Sequence, residues 1–163
     1  MTTTLDVRQT FPGPLDQVRA MLTDPDYARN RAEQTGSISC EVTVTPDAGG
    51  ATVVTIKRVL PADLPSFASA LVGPNLEVTE HQTWAPAAEG SCTASFEVSF
   101  SGPLGATGVM ALTSAGTQTT SRITATIKST VPFVGGKLEK IAQEQLIRYL
   151  EKDEELGRDW LSR

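Results

Sequence analysis

Residues 136–161 read GKLEKIAQEQLIRYLEKDEELGRDWL, and within this stretch only Gly157 disfavours a helix. At 1.5 Å per residue this helix spans about 40 Å, which is long for a chain of 163 residues. At 100° per residue, one side of the helix collects Leu138, Ala142, Leu146, Tyr149, Leu156 and Trp160. The stretch therefore predicts one long amphipathic helix with a buried side.

The other residues of this helix fall into three groups. Six charged side chains lie largely opposite the buried side or at its edges: Glu139, Lys140, Glu144, Glu151, Glu154 and Arg158. Gln145 and Asp153 are polar residues on the buried side, where the Tyr149 hydroxyl is also expected. Ile147, Leu150 and Leu161 fall off that side and are predicted to be exposed, either as scattered aliphatics or as a surface for a partner.

The chain before the helix alternates apolar and polar residues with the period of two that β-strands show. The predicted strands cover residues 4–11, 38–45, 52–60, 76–84, 91–100, 106–113 and 118–129. Two short helices are predicted after the first strand. One begins with Pro14 in its first turn and ends near Leu22, and the other runs from Pro25 towards Gly36 with Asp24 as N-cap.

Residues 61–75 interrupt the strands with prolines and a short apolar piece, 67–72. This segment is predicted to be a covering loop with one helical turn, able to act as a lid. The short sequential connections elsewhere predict an antiparallel meander. The most compact arrangement is an α+β, helix-grip fold, in which a curved seven-stranded sheet wraps around the long C-terminal helix as one domain over residues 1–163.

This order of elements resembles the START-like (SRPBCC) superfamily, which includes lipid-transfer domains, polyketide cyclases and plant pathogenesis-related proteins. Three stretches resemble a bacterial branch catalogued as a domain of unknown function: VRAMLTDPDY at 18–27, LPADLPSF at 60–67 and VPFVGGKLEK at 131–140, together with Trp160-Leu161. The resemblance covers nearly the whole chain. It implies the helix-grip fold and a cavity between sheet and helix, and it supplies no catalytic residues.

Polar residues on inward strand faces indicate where a ligand would bind. Gln9, Glu80 and Gln82 share faces with apolar neighbours, and a buried polar group without a partner is costly. They either pair internally, turn to solvent through a shifted register or bulge, or fix the polar end of an apolar ligand. The candidate ligand-binding residues are Gln9, Val78, Glu80, Gln82, Phe96, Val98, Leu146, Tyr149 and Asp153.

Other chemistry has little support in the sequence. His81 is the one histidine, and its alternation places it opposite Glu80, as a surface or structural residue. Cys40 and Cys92 fall on strands that a meander separates by about 14 Å, too far for a disulfide, so both are expected to be reduced thiols. No zinc site, phosphate-binding loop or nucleophile elbow is formed, and we expect no metal, cofactor or catalytic residue.

The net charge of −5 argues against nucleic-acid binding. No apolar run approaches the roughly 20 residues of a membrane span, and the first residues do not read as a secretory signal, so a cytoplasmic location is expected. We predict a binder or carrier of a small apolar molecule or lipid. Two alternatives stay open: a cyclase-like or hydratase-like enzyme using Glu80, His81 or Asp153 as acid or base, and a protein-interaction module using the exposed helix aliphatics.

Overall fold

A computed structural model describes residues 2–100 and 103–163. Residues 1, 101 and 102, which the predicted domain includes, lie outside the described residues. The strands are β1 Thr2–Pro12, β2 Ser39–Pro46, β3 Thr52–Pro61, β4 Asn75–Trp84, β5 Ser91–Phe100, β6 Leu104–Ala115 and β7 Gln118–Ser129. The α-helices are α1 Leu15–Leu22, α2 Pro25–Gln34, α3 Ser66–Val72 and α4 Gly135–Leu161.

The strands form one antiparallel sheet in the order β1-β7-β6-β5-β4-β3-β2. Strands β2 to β7 are a simple meander, and β1 closes on β7 in a register that runs from Thr2 opposite Lys128 to Pro12 opposite Gln118. The buried and exposed residues of β5 alternate without a break, as expected for a strand with one face towards the core. The predicted α+β helix-grip fold is therefore confirmed.

The two short helices connect β1 to β2 across the end of the sheet. Asp24 caps α2 as predicted, because its side chain accepts a hydrogen bond of 2.7 Å from the backbone N–H of Asp26. Pro14 is the N-cap residue of α1, so its prediction within the first helical turn was wrong by one position. Gly36 follows α2 with φ of 94°, the left-handed geometry expected there.

The covering segment is more helical than the sequence indicated. α3 is a helix of seven residues, longer than the predicted single turn. Ala68 is its buried residue, whereas the side chains of Phe67 and Leu71 are 37% and 46% exposed. Since so little of α3 is buried, packing on the rest of the domain holds it only weakly.

Helix α4 is continuous over 27 residues, as predicted, and packs mainly on β1 and β7. Gly157 does not break it. A Cβ atom at this position would lie 2.5 Å from Cε1 of Phe11, so the missing side chain allows α4 to approach β1 closely.

Several side chains of α4 differ from the sequence prediction. Leu150 is 9% exposed, and Ile147 and Leu161 are partly buried against the core, so their predicted exposure was wrong. Glu139, expected at the charged side, is 1% exposed. Its carboxylate accepts hydrogen bonds from Thr3 Oγ1 at 2.9 Å and from the backbone N–H of Ser129 at 3.0 Å. The side of α4 that faces the sheet is therefore wider than the predicted stripe.

The core consists of two groups of apolar residues along α4. The group near the end of α4, here the anchored cluster, includes Phe11, Val18, Tyr27, Trp84 and Leu156. The second group, here the cavity cluster, includes Leu5, Val78, Phe96, Ile123 and Leu150. The C-terminal half of α4 therefore packs on the anchored cluster, and its middle on the cavity cluster.

Cys40 and Cys92 are both free thiols, and β3 and β4 lie between their strands, which agrees with the predicted absence of a disulfide. Among the helices of the described residues, none combines the length and the apolar character that crossing a membrane requires.

Candidate functional site

A small cavity lies between the inner face of the sheet and α4, where the fold is expected to hold a ligand. Its volume is about 40 Å³. We call it the grip cavity, and its lining residues are Leu5, Arg58, Val78, Glu80, Phe96, Val98, Met110, Ile123, Leu146, Tyr149 and Leu150. Six of these belong to the predicted ligand-binding set, namely Val78, Glu80, Phe96, Val98, Leu146 and Tyr149. The polar groups of the lining are those of Arg58, Glu80 and Tyr149.

An open depression of about 460 Å³, which we call the mouth, lies beside the grip cavity. Its lining residues are Gln34, Thr35, Gly36, Arg58, Leu60, Gln145, Leu146, Arg148, Tyr149 and Lys152. Arg58, Leu146 and Tyr149 line both spaces and so form the wall between them. The mouth lining carries three cationic side chains and no carboxylate.

A second small cavity of about 70 Å³, the lid cavity, lies under α3. Leu64, Leu71 and Val72 cover it from the α3 segment, and Leu138, Ile141 and Ala142 of α4 form its floor. Gln145 lines both the lid cavity and the mouth. This residue is exposed, so its predicted burial on the helix stripe was wrong. The turn of α4 at 145–146 therefore separates all three spaces.

Arg58 and Tyr149 stack at the wall between grip cavity and mouth. The Arg58 guanidinium carbon lies 4.8 Å from the centre of the Tyr149 ring, within cation–π range. Nη1 of Arg58 donates a hydrogen bond of 2.7 Å to Thr35 Oγ1. Burial raises the pKa of Tyr149 to about 12, although Arg31 acts in the opposite direction. Tyr149 therefore presents a neutral hydroxyl at physiological pH.

The inward polar residues of β4 pair with one another. Trp84 Nε1 donates to Gln82 Oε1, and Gln82 Nε2 donates to Glu80 Oε1, both at 2.9 Å. The pairing of β4 with β3 and β5 is uninterrupted, so no bulge turns these side chains outwards. Internal pairing is therefore correct for Gln82, which does not line the grip cavity. The series of hydrogen bonds from Trp84 through Gln82 ends at the Glu80 carboxylate, which lines the cavity wall.

Gln9 and Asp153 form a different buried network, on the side of the anchored cluster. Gln9 Nε2 donates to Asp153 Oδ2 at 3.0 Å and to the Leu150 carbonyl at 2.8 Å. The Tyr27 hydroxyl donates to Asp153 Oδ1 at 2.7 Å, and Arg31 Nη1 donates to the same oxygen at 3.2 Å. Neither Gln9 nor Asp153 lines the grip cavity. Their arrangement joins β1, α2 and α4.

Arg31 is a buried charge that the sequence analysis missed. Its side chain is 5% exposed, and its guanidinium carbon lies 5.6 Å from the ring centres of both Tyr27 and Tyr149. Nε and Nη2 have no hydrogen-bond partner among the described residues. Burial by itself lowers the pKa of Arg31, but the neighbouring Tyr149, Asp153 and Glu80 outweigh it and raise that pKa. Nothing local indicates this burial, because α2 is strongly polar and the partner Asp153 is 122 residues away.

His81 lies on the outer face of β4, where it is exposed and its Nδ1 is 3.1 Å from Thr55 Oγ1. It is thus placed as predicted, opposite Glu80, and it cannot reach the grip cavity as an acid or base. Among the described residues, no group of three or more His, Cys, Asp and Glu side chains is arranged to hold a metal ion.

The sheet order, the two short helices after β1 and the single long helix against the inner face define a START-like helix-grip fold. Residues 6–161 match the family model described as "Protein of unknown function (DUF2505)", and the chain belongs to that family. It is 28% identical to the uncharacterized protein Rv0481c of Mycobacterium tuberculosis (strain ATCC 25618 / H37Rv) over 171 residues, which cover 99% of this chain and 98% of that protein.

Solved structures support the fold. A START superfamily protein from Mycobacterium smegmatis superposes with a TM-score of 0.61 at 11% identity, covering 97% of this chain and 98% of that one. Truncated norcoclaurine synthase from Thalictrum flavum superposes with a TM-score of 0.60 at 9% identity, covering 100% and 96%. At these identities the similarity concerns the fold.

Proposed function

We propose that this protein binds and carries a small hydrophobic molecule in the space between the sheet and α4. The observation that carries the proposal is the grip cavity, whose apolar lining is interrupted by polar groups at the wall that it shares with the mouth. Ligand sites commonly combine an apolar lining with a few placed polar groups. The START-like fold, whose resemblance implies such a cavity, supports the same function.

Ligand binding requires the interior to expand. The grip cavity holds about 40 Å³ and the lid cavity about 70 Å³, whereas ligand pockets usually have roughly 300–1,000 Å³. Met110 and Leu146 are the flexible side chains of the grip lining that a ligand would displace first.

The element that opens is α3. α3 has one buried residue, and Lys137 Nζ, 5.9 Å from the Phe67 ring centre, gives it a weak contact with α4. The C-terminal half of α4 is fixed by the buried network of Asp153 and by the close contact of Gly157 with Phe11. Outward movement of α3 would join the lid cavity to solvent, so α3 acts as the lid.

The free thiols fit a reducing compartment, and we place this carriage in the cytoplasm.

Two measurements test the proposal. Native mass spectrometry of the protein purified from its own host should reveal a bound small molecule. In vitro, the neutral fluorescent probe N-phenyl-1-naphthylamine should bind saturably, with one probe per chain. Val98→Phe adds volume inside the grip cavity and should abolish probe binding, whereas Val109→Phe, at a 45% exposed position of the neighbouring strand β6, should not.

Thermal unfolding of both variants shows whether Val98→Phe is still folded. A wild-type protein that purifies empty and gives no saturable probe signal would contradict the proposal. Equal loss of probe binding in both folded variants would contradict the grip cavity as the binding site.

A second candidate function is an enzyme of the cyclase or hydratase kind, for which the position of Glu80 is the specific observation. Its carboxylate lines the grip cavity, and one similar fold is an enzyme by name, norcoclaurine synthase. His81 faces outwards and Asp153 is held by three donors, so Glu80 is the candidate acid or base. If this function holds, a co-purified ligand incubated with fresh protein changes its mass or its chromatographic retention, since ring closure alone conserves the mass, and Glu80→Gln stops the change without abolishing binding. A ligand unchanged in both mass and retention with wild-type protein would exclude turnover of that ligand.

A further inference from the structure

We infer that the molecule bound by this protein is an amphiphile with an oxyanion head group, a carboxylate or phosphate, held by Arg58 at the wall between grip cavity and mouth. This inference rests on the proposed function and specifies the class of its ligand. The apolar body of the molecule would lie among Phe96, Val98 and Met110.

The first support is the state of the Arg58 guanidinium. It is held by Thr35 and by the Tyr149 ring, and neither contact neutralises its charge. Thr35 Oγ1 in turn donates a hydrogen bond of 2.7 Å to the Arg31 carbonyl, so the hydroxyl that accepts from Arg58 is held in place. Arg58 forms no salt bridge with a described residue, although it is partly buried. An arginine is almost never fully buried unless it is paired, so a ligand that covers this guanidinium at the cavity wall would have to supply an anionic partner.

The second support is the geometry of the free donors. Nη1 donates to Thr35, and the Nε–Nη2 edge donates no hydrogen bond to a described residue. The planar edge of a guanidinium matches the two oxygens of a carboxylate or phosphate with two parallel hydrogen bonds. The same edge of Arg122 pairs in this way with the two carboxylate oxygens of Asp6, at 3.2 and 2.8 Å.

The third support is the charge of the mouth. Arg148 and Lys152 line it together with Arg58, and no carboxylate lines it. Lys152 is paired with Glu155 at 3.2 Å, while Arg148 forms no salt bridge with any residue of the described ranges. A patch of positive potential on a chain of net charge −5 would attract an anionic head to this entrance.

The experiment compares three competitors that share one alkyl chain: laurate, dodecyl phosphate and dodecanol. Each is titrated against N-phenyl-1-naphthylamine bound to the full chain, with wild type, Arg58→Gln, Arg58→Lys and the control Lys57→Gln. Lys57 is the neighbouring residue on β3, exposed on the outer face, so its variant removes the same charge outside the cavity.

We expect at least one of the two anions to compete about tenfold or more strongly than dodecanol with wild type, and their ranking identifies the head group. Arg58→Gln should remove this advantage and leave dodecanol unchanged. Arg58→Lys should restore it only in part, because an ammonium group lacks the paired donors. Lys57→Gln should behave as wild type.

Equal competition by the anions and dodecanol in wild type would overturn the inference while the proposed function stands. The same follows if Arg58→Gln weakens all three competitors equally, which would show a packing role. If no probe binds to wild type, the proposed function itself fails.

Discussion

The Arg31 guanidinium lies 3.2 Å from the Asp153 carboxylate, and both side chains are almost wholly buried, at 5% and 4% exposure. This ion pair joins α2 to the C-terminal half of α4, with Tyr27 and Gln9 as further donors to the carboxylate. It fixes α4 directly beyond Tyr149 and Leu150, which line the grip cavity, so the anchored end of the molecule borders that cavity.

Removing the Asp153 charge should destabilise the protein strongly. Asp153→Asn leaves Arg31 as an uncompensated buried cation, and breaking a buried pair in this way typically costs about 3–5 kcal/mol. Urea unfolding followed by circular dichroism measures the loss. Asp159→Asn, at an exposed position of the same helix, is the control and should change the free energy of unfolding by less than about 0.5 kcal/mol. The double change Arg31→Met, Asp153→Leu should be less destabilising than Asp153→Asn, and a larger loss would contradict the assigned role of the charge.

Gly157→Ala should destabilise the protein although alanine favours helices. The added Cβ would lie 2.5 Å from the Phe11 ring, and overpacking of this kind typically costs about 1–3 kcal/mol, more than the roughly 1 kcal/mol gained in helix propensity. Thermal unfolding measures the net effect. Gly135→Ala is the matched control, because its Cβ would meet Ser129 at an ordinary 3.6 Å. If both variants are equally stable, α4 and β1 are not in the close contact described.

Glu139→Ala should loosen the first turns of α4. It removes the acceptor for Thr3 Oγ1 and for the Ser129 backbone N–H, and a buried donor without its partner costs about 1–3 kcal/mol. Hydrogen exchange should become faster in residues 135–145 and remain slow around Asp153. Glu144→Ala, an exposed position on the same helix, should leave exchange unchanged. Uniformly faster exchange along α4 would show that its two halves are not independent.

Stability should decline in alkali through the tyrosines. The chain has two, Tyr27 and Tyr149, and burial raises the pKa of both, that of Tyr149 to about 12. An unfolded tyrosine has a pKa of about 10, so above that pH the unfolded chain releases protons that the folded chain retains. Their contribution to stability is thus complete below pH of about 10 and is lost as the pH rises towards 12.

Ultraviolet absorbance of the phenolate measures this titration. The folded protein should show almost no phenolate at a pH of about 10, followed by a steep rise on unfolding. Tyr149→Phe should halve the final amplitude. Phenolate amounting to about a quarter of the final amplitude in the folded protein at a pH of about 10 would show that one of the two hydroxyls is open to water.

The sequence predicted the sheet well because its signal is local. In β5 and β7 the side chains alternate between core and surface, and the predicted bounds, 91–100 and 118–129, agree with the strands. The long helix was predicted for the same reason, since Gly157 is the one residue inside it that disfavours a helix. Its rotation about its own axis was less accurate, because Glu139 becomes buried through partners on β1 and β7 that no helical period reveals.

The site was predicted in part. The alternation of β4 and β5 correctly placed Val78, Glu80, Phe96 and Val98 at the cavity wall, and whether they bind a ligand stays a prediction. The expectation that the inward polar residues need partners was sound, but the partners of Gln9 lie more than 140 residues away. Arg31 and Arg58 were missed because charged residues on short helices and strand ends usually face water, and their surroundings are set by tertiary packing.

The two tryptophans of the chain, Trp84 and Trp160, both belong to or pack on the anchored cluster, and neither lines the grip cavity, the mouth or the lid cavity. Intrinsic emission therefore reports mainly on unfolding of the anchored cluster. Because Trp84 reaches the cavity wall only through Gln82 and Glu80, a flat indole titration would not exclude a bound ligand.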